Sequence, residues 1–169
     1  ANFYNQTVDN LLTFEWQHSA GDFGKIITGG IIGVMKEIKT SIQNHKKDKT
    51  ALRFLKTQFD ICEAVIDWAK KCSKKARIIS ETTQNKEYKK NLERLSRALE
   101  IVPEKPANTF YEAILSLFVC YSFIPDSIGL IDRYLYPFYK KDIENGILTK
   151  EEASGYLQEL FLMLQARIH

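Results

Sequence analysis

The sequence predicts an all-α fold of about six helices, and three observations predict it. Apolar residues recur at spacings of three and four along most of the chain, no segment alternates as a half-buried strand does, and Gly and Pro are sparse, at eight and four in 169 residues. A chain this long buries roughly 70% of the surface its unfolded form exposes, enough for one core. At 44% hydrophobic and 27% charged residues it is neither disordered nor fibrous. Twenty-four basic side chains against 21 acidic ones leave a net charge of +3, too balanced to argue for nucleic acid or a membrane surface.

Residues 1–21 scatter Phe3, Tyr4, Leu11, Leu12, Phe14 and Trp16 among polar residues without a period, and read as an irregular N-terminal stretch. Residues 22–101 read as long helices. Asp22 is placed as the N-cap of a helix reaching about His45, with Ile27, Ile31, Val34, Met35, Ile38 and Ile42 on its apolar stripe. Gly29, Gly30 and Gly33 fall inside it, each at a cost of ~1 kcal/mol relative to Ala. Close helix–helix approach is the expected compensation. A phosphate loop needs a preceding strand and a following Lys-Ser/Thr, and neither is present.

The clearest helix runs from about Asp48 to Ser80. Leu52, Leu55, Phe59, Cys62, Ile66 and Ala69 form its stripe, and Phe54, Ile61, Val65, Trp68 and Cys72 are expected to widen the buried face. A polar break at 81–85 precedes a helix carrying Tyr88, Leu92, Leu95 and Leu99. The basic residues on these two helices are interleaved with Glu81, Glu87, Glu93 and Glu100, the pattern of a solvated face rather than a nucleic-acid surface.

Pro103 and Pro106 predict an extended linker over 102–108. Residues 109–169 then read as one buried helix and two amphipathic ones. Thr109 and Glu112 have capping-box spacing, and the helix they open, to about Phe123, is apolar on nearly every side. Such a helix must be covered all round, which predicts that some of its cover comes from polypeptide outside these residues. Ile128 to Glu144 follows with Ile131, Tyr134, Leu135 and Phe138 on one face, stopped by Asn145-Gly146. A second capping box, Thr149 with Glu152, opens a last helix with Ala153, Tyr156, Leu157, Leu160, Phe161 and Leu164 inward. The longest apolar run, Phe110 to Ile124, is broken by Glu112, Ser116 and Ser122 and is too short to span a membrane. No secretory signal is legible, and a start at Ala1 points to a piece of a longer protein.

Residue chemistry by itself shows no catalytic set and no metal site. Cys62, Cys72 and Cys120 are odd in number, lack CxxC spacing and sit among apolar residues, which fits inert packing thiols in a reducing cytoplasm. His45 lies at a helix end and His169 is terminal. His18 and Asp22 are four apart: they can share a helical face as pocket residues, or Asp22 can cap a helix with His18 beside it.

Several segments resemble one family in order. Val102-Pro-x-x-Pro106-x-x-Thr109-Phe-Tyr-Glu112-Ala resembles a proline linker followed by a "TFYEAL" helix start. Ser127-Ile-Gly129-Leu-Ile-Asp132-Arg-Tyr134-Leu-Tyr136-Pro137-Phe-Tyr139-Lys-Lys-Asp142-Ile is similar to "LGRFDQYLYPYYKKDI", and Asn145-Gly146 through Glu151-Glu152-Ala to the hinge after it. His18-Ser-x-x-Asp22-Phe-x-Lys25 and Glu63-Ala-Val-Ile-Asp67 resemble further helix segments of the same family. These are segments of the pyruvate formate-lyase-like glycyl radical enzymes.

The resemblance implies a helical segment from the N-terminal half of a larger α/β-barrel enzyme, a cytoplasmic radical lyase, dehydratase or acyltransferase acting anaerobically on a small polar substrate. It implies a glycyl radical in the parent, installed by an S-adenosylmethionine iron–sulfur activating enzyme, and a homodimeric parent. No cofactor is expected on this segment itself, because neither the thiyl cysteine loop nor the Arg-Val-x-Gly-Tyr loop occurs in it, and the segment alone is expected to be inactive. Ile124 and Pro125 stand where dehydratases of the family carry a substrate-touching His-Ser pair, which speaks against polyol dehydration. His18 and Asp22, then Asp126 and Ser127, are the expected substrate-facing residues. The alternative from another class is a non-enzymatic helical protein–protein interaction module.

Overall fold

The computed structural model describes residues 21–123 and 127–166, so the expected irregular stretch, apart from Gly21, lies outside the described residues, as do Ile124 and Pro125. Six helices form, α1 (Phe23–Asn44), α2 (Lys49–Thr82), α3 (Lys86–Leu99), α4 (Phe110–Tyr121), α5 (Ile131–Glu144) and α6 (Lys150–Gln165), with no strand among the described residues.

Local chemistry sets most of the starts. Asp22 Oδ1 accepts from the Lys25 N–H at 3.0 Å and opens α1 where its sequence predicts. Asp48 accepts from the Thr50 and Ala51 N–H groups to open α2, and Asn85 caps α3 in the same way. Thr149 and Glu152 form the full reciprocal box at α6. At α4 only half of the expected box forms. Thr109 accepts from the Glu112 N–H at 3.2 Å, but the Glu112 carboxylate takes the Asn108 N–H at 2.7 Å, one residue earlier than expected.

The glycines of α1 act differently from expectation. Gly30, at φ 66° and ψ 166°, breaks the helical ladder, and the 103–107 turn fills the break. Ile31 N–H donates to Pro103 O at 2.8 Å, Ile32 N–H to Glu104 O at 3.1 Å, and Ala107 N–H to Ile27 O at 2.9 Å. Backbone groups that the kink frees in this way find partners in the turn. The close approach is therefore helix to loop, and only at Gly30; a Cβ on Gly29 or Gly33 would meet nothing within 4 Å. The supposed extended linker is consequently turned and buried over Val102 and Pro103, and extended only at 106–108.

On α2 the widened apolar face is not buried. Phe54 is 62% exposed, Ile61 and Trp68 also face outward, and of that second stripe only Val65 is fully covered. The seam against α3 is instead made of small residues, Ala69, Ser73, Ala76 and Ser80, with Ser73 Oγ donating to Ser96 O at 2.8 Å. Small side chains let the two backbones approach, which apolar periodicity alone does not reveal.

Helix α4 is the centre. Phe110, Ala113, Leu117, Val119 and Cys120 are buried by α1, α3, α5 and α6 of this same chain, so its cover does not come from outside, contrary to the sequence expectation. It stops at Tyr121 rather than Phe123, and α5 starts at Ile131 rather than Ile128, after Gly129 at φ 64°. Gly146, at φ 67°, closes α5 as predicted. Tyr88 and Phe161, expected inward, are exposed.

Candidate functional site

Two polar centres emerge from this packing. The first gathers the start of α1 and the turn that precedes α5. Asp22 is exposed, and its carboxylate serves the α1 N-terminus. Ser127 is also exposed, and its Oγ accepts from the Gly129 N–H at 3.2 Å, bracing the turn. Tyr134 joins the two: its ring packs 3.3 Å from where a Gly24 Cβ would stand, and its hydroxyl donates to the Ile128 carbonyl. Burial raises the Tyr134 phenol above its ordinary range, and the nearby Asp132 and Asp22 carboxylates push it the same way. Lys25, one turn into α1, is held protonated by its hydrogen bond with Glu37 at 2.5 Å, with Asp22 adding to the effect.

The structure therefore brings Asp22 and the Ser127 turn to one end of the molecule. His18 and Asp126 lie outside the described residues. Tyr134 was read from sequence only as a helix-face residue; its hydroxyl link to the turn depends on the Gly129 conformation, which periodicity does not encode.

The second centre was not foreseen. Asp142 is only 2% exposed, and its Oδ2 accepts from the Phe110 N–H at 2.7 Å, so the end of α5 caps the start of α4. Its backbone carbonyl also takes the Ile147 and Leu148 N–H groups, while Oδ1 has no hydrogen-bond partner among the described residues. Nearby, the Arg94 guanidinium stacks between Tyr111 at 4.6 Å and Tyr156 at 4.9 Å, donates to the Tyr156 hydroxyl, and reaches Asn91 at 3.1 Å. Arg94 and Asp142 share the wall of a cleft of about 500 Å³ with Lys90, Arg97, Glu112 and Glu152. Basic and acidic groups alternate there, so the cleft favours neither ionic sign.

The cysteines behave as packing residues. Burial pushes the Cys120 thiol up to about 12, with the nearby Cys62 adding to the shift, and burial also raises Cys62 and Cys72. Among the described residues no group of three His, Cys, Asp or Glu side chains is arranged to hold a metal ion. No helix among them is long and apolar enough to cross a membrane.

Comparison with known proteins follows this geometry. A family profile described as pyruvate formate lyase-like matches residues 8–169. The isethionate sulfite-lyase of Bilophila wadsworthia is 31% identical over 167 residues, covering 91% of this chain and 20% of the relative. A solved structure concerned with 1,2-propanediol dehydration in Roseburia inulinivorans superimposes with a TM-score of 0.78 at 27% identity, over 87% of this chain and 19% of the other. The glycerol-bound B12-independent glycerol dehydratase of Clostridium butyricum gives a TM-score of 0.77 at 25% identity, over 89% and 20%. The chain thus spans about a fifth of the length of the relatives it matches.

Proposed function

Because the chain belongs to the pyruvate formate lyase-like family, we propose that it is the helical wall of a larger glycyl radical enzyme that cleaves, dehydrates or transfers a group of a small polar substrate. The observation that carries this reading is the breadth of the match: 91% of the chain aligns with one fifth of a radical lyase, and the same fold recurs in the dehydratase structures. In this reading the glycyl radical resides in polypeptide outside these residues and is installed by a separate S-adenosylmethionine iron–sulfur activating enzyme. The parent is a cytoplasmic homodimer.

The role of this segment is to build and position the wall. Asp22 and Ser127, with His18 and Asp126, are its substrate-facing polar groups, a reading supported by the meeting of the α1 start and the Ser127 turn at Tyr134. The test is electron paramagnetic resonance after anaerobic incubation with an activating enzyme, S-adenosylmethionine and reductant. The full-length parent should give a glycyl doublet and the 169-residue chain none. A doublet from this chain alone, or a silent parent, overturns the reading.

A further inference from the structure

The end of α6 is apolar on every side. Leu160, Phe161, Leu162, Met163 and Leu164 run without a polar residue, and 100° per residue distributes them around the whole helix. Leu160 and Leu164 point into the core, whereas Phe161 is 51%, Leu162 66% and Met163 40% exposed. The three exposed residues fall on two flanks. Phe161 edges a groove of about 290 Å³ with Leu135, Tyr136 and Leu157, and Leu162 and Met163 edge a second cleft with Tyr88 and Leu92. A helical turn of this kind is stable when it is covered all round, as α4 is within this chain.

We propose that the outer face of the α6 end, centred on Leu162 and flanked by Phe161 and Met163, is a buried seam against the rest of the parent polypeptide. This rests on the reading above that the chain is part of a longer enzyme. Its relatives supply the occupant: the match covers only 20% of the isethionate sulfite-lyase chain, so four fifths of that protein lies outside the region described here. The seam takes an apolar surface of the same polypeptide that straddles α6 and reaches into both flanking clefts.

The test uses the full-length parent before activation. Peroxide converts an accessible Met to its sulfoxide, so Met163 is a probe already in place. Its oxidation in the folded parent should be on the order of 100-fold slower than in the urea-unfolded parent, as for a site reached only by opening of the structure. Leu162→Cys should resist maleimide to a similar degree, whereas Glu87→Cys, on the exposed side of α3, should react freely. The seam is overturned if Met163 oxidises freely and the Leu162→Cys variant labels as readily as the Glu87→Cys control. Protection that disappears on dilution to the parent monomer assigns the face to a second copy and also overturns it. The radical signal reads out separately: protection without a glycyl doublet keeps the seam and removes the radical reading, and a doublet with an unprotected Met163 does the reverse.

Discussion

The Glu104 carbonyl oxygen occupies the place where a side chain on Gly30 would begin: a Cβ there would lie 2.5 Å from that oxygen. Gly30 is the joint at which α1 bends around the 103–107 turn, and its backbone conformation is one that only Gly adopts readily. Gly30→Ala should therefore destabilise the fold by about 3 kcal/mol, from backbone strain together with steric displacement of the turn. Gly29→Ala and Gly33→Ala, which meet nothing, should each stabilise it by about 0.5–1 kcal/mol. Urea unfolding of the three variants measures the contrast, and equal effects would remove the joint.

Cys120 ties stability to alkaline pH. Its folded thiol is pushed up to about 12 from 9.0, so above pH 9 the unfolded chain loses a proton that the folded one keeps. The stabilisation is complete below pH 9 and declines as pH rises through 9 towards 12. Cys120→Ala should cost ~1–2 kcal/mol near neutrality through a small cavity. It should also flatten the fall in Tm between pH 8 and 10.5. A fall as steep as in the native protein would place the alkaline sensitivity elsewhere.

Asp22 allows its two roles to be separated. As a cap for the Lys25 N–H it should tolerate Asn almost without loss, while Asp22→Ala should lower stability by about 1 kcal/mol. If it also faces substrate, Asp22→Asn should lower turnover of the parent while leaving its Tm unchanged. Melting and steady-state kinetics on the same two variants measure both, and unchanged turnover in Asp22→Asn confines the residue to capping.

Arg94 clamps α3, α4 and α6 through its stack between Tyr111 and Tyr156 and its bond to the Tyr156 hydroxyl. Lys keeps the charge but loses the planar fork, so Arg94→Lys should destabilise the fold by about 1–2 kcal/mol, read from urea unfolding. Tyr156→Phe should remove less, since the stack survives. A neutral Arg94→Lys would reduce the clamp to a surface charge.

The sequence by itself determined the number of helices, their caps at Asp22, Asp48, Thr109 and Thr149, the stop at Gly146, and the family. These are local or ordered features: a cap is satisfied within three residues, a helical face within four, and a motif block keeps its spacing whatever it packs against. Tertiary structure alone decided which apolar faces are covered. The Phe54–Ile61–Trp68 stripe and the end of α6 carry the same periodic signal as the buried stripes, yet they face outward because no neighbouring helix reaches them. It also decided that Gly30 opens to a loop, that Asp142 caps a helix 32 residues before it in the chain, and that Tyr134 links the start of α1 to the Ser127 turn. Each of these depends on a partner distant in sequence, and periodicity within one helix holds no information about where that partner comes to rest.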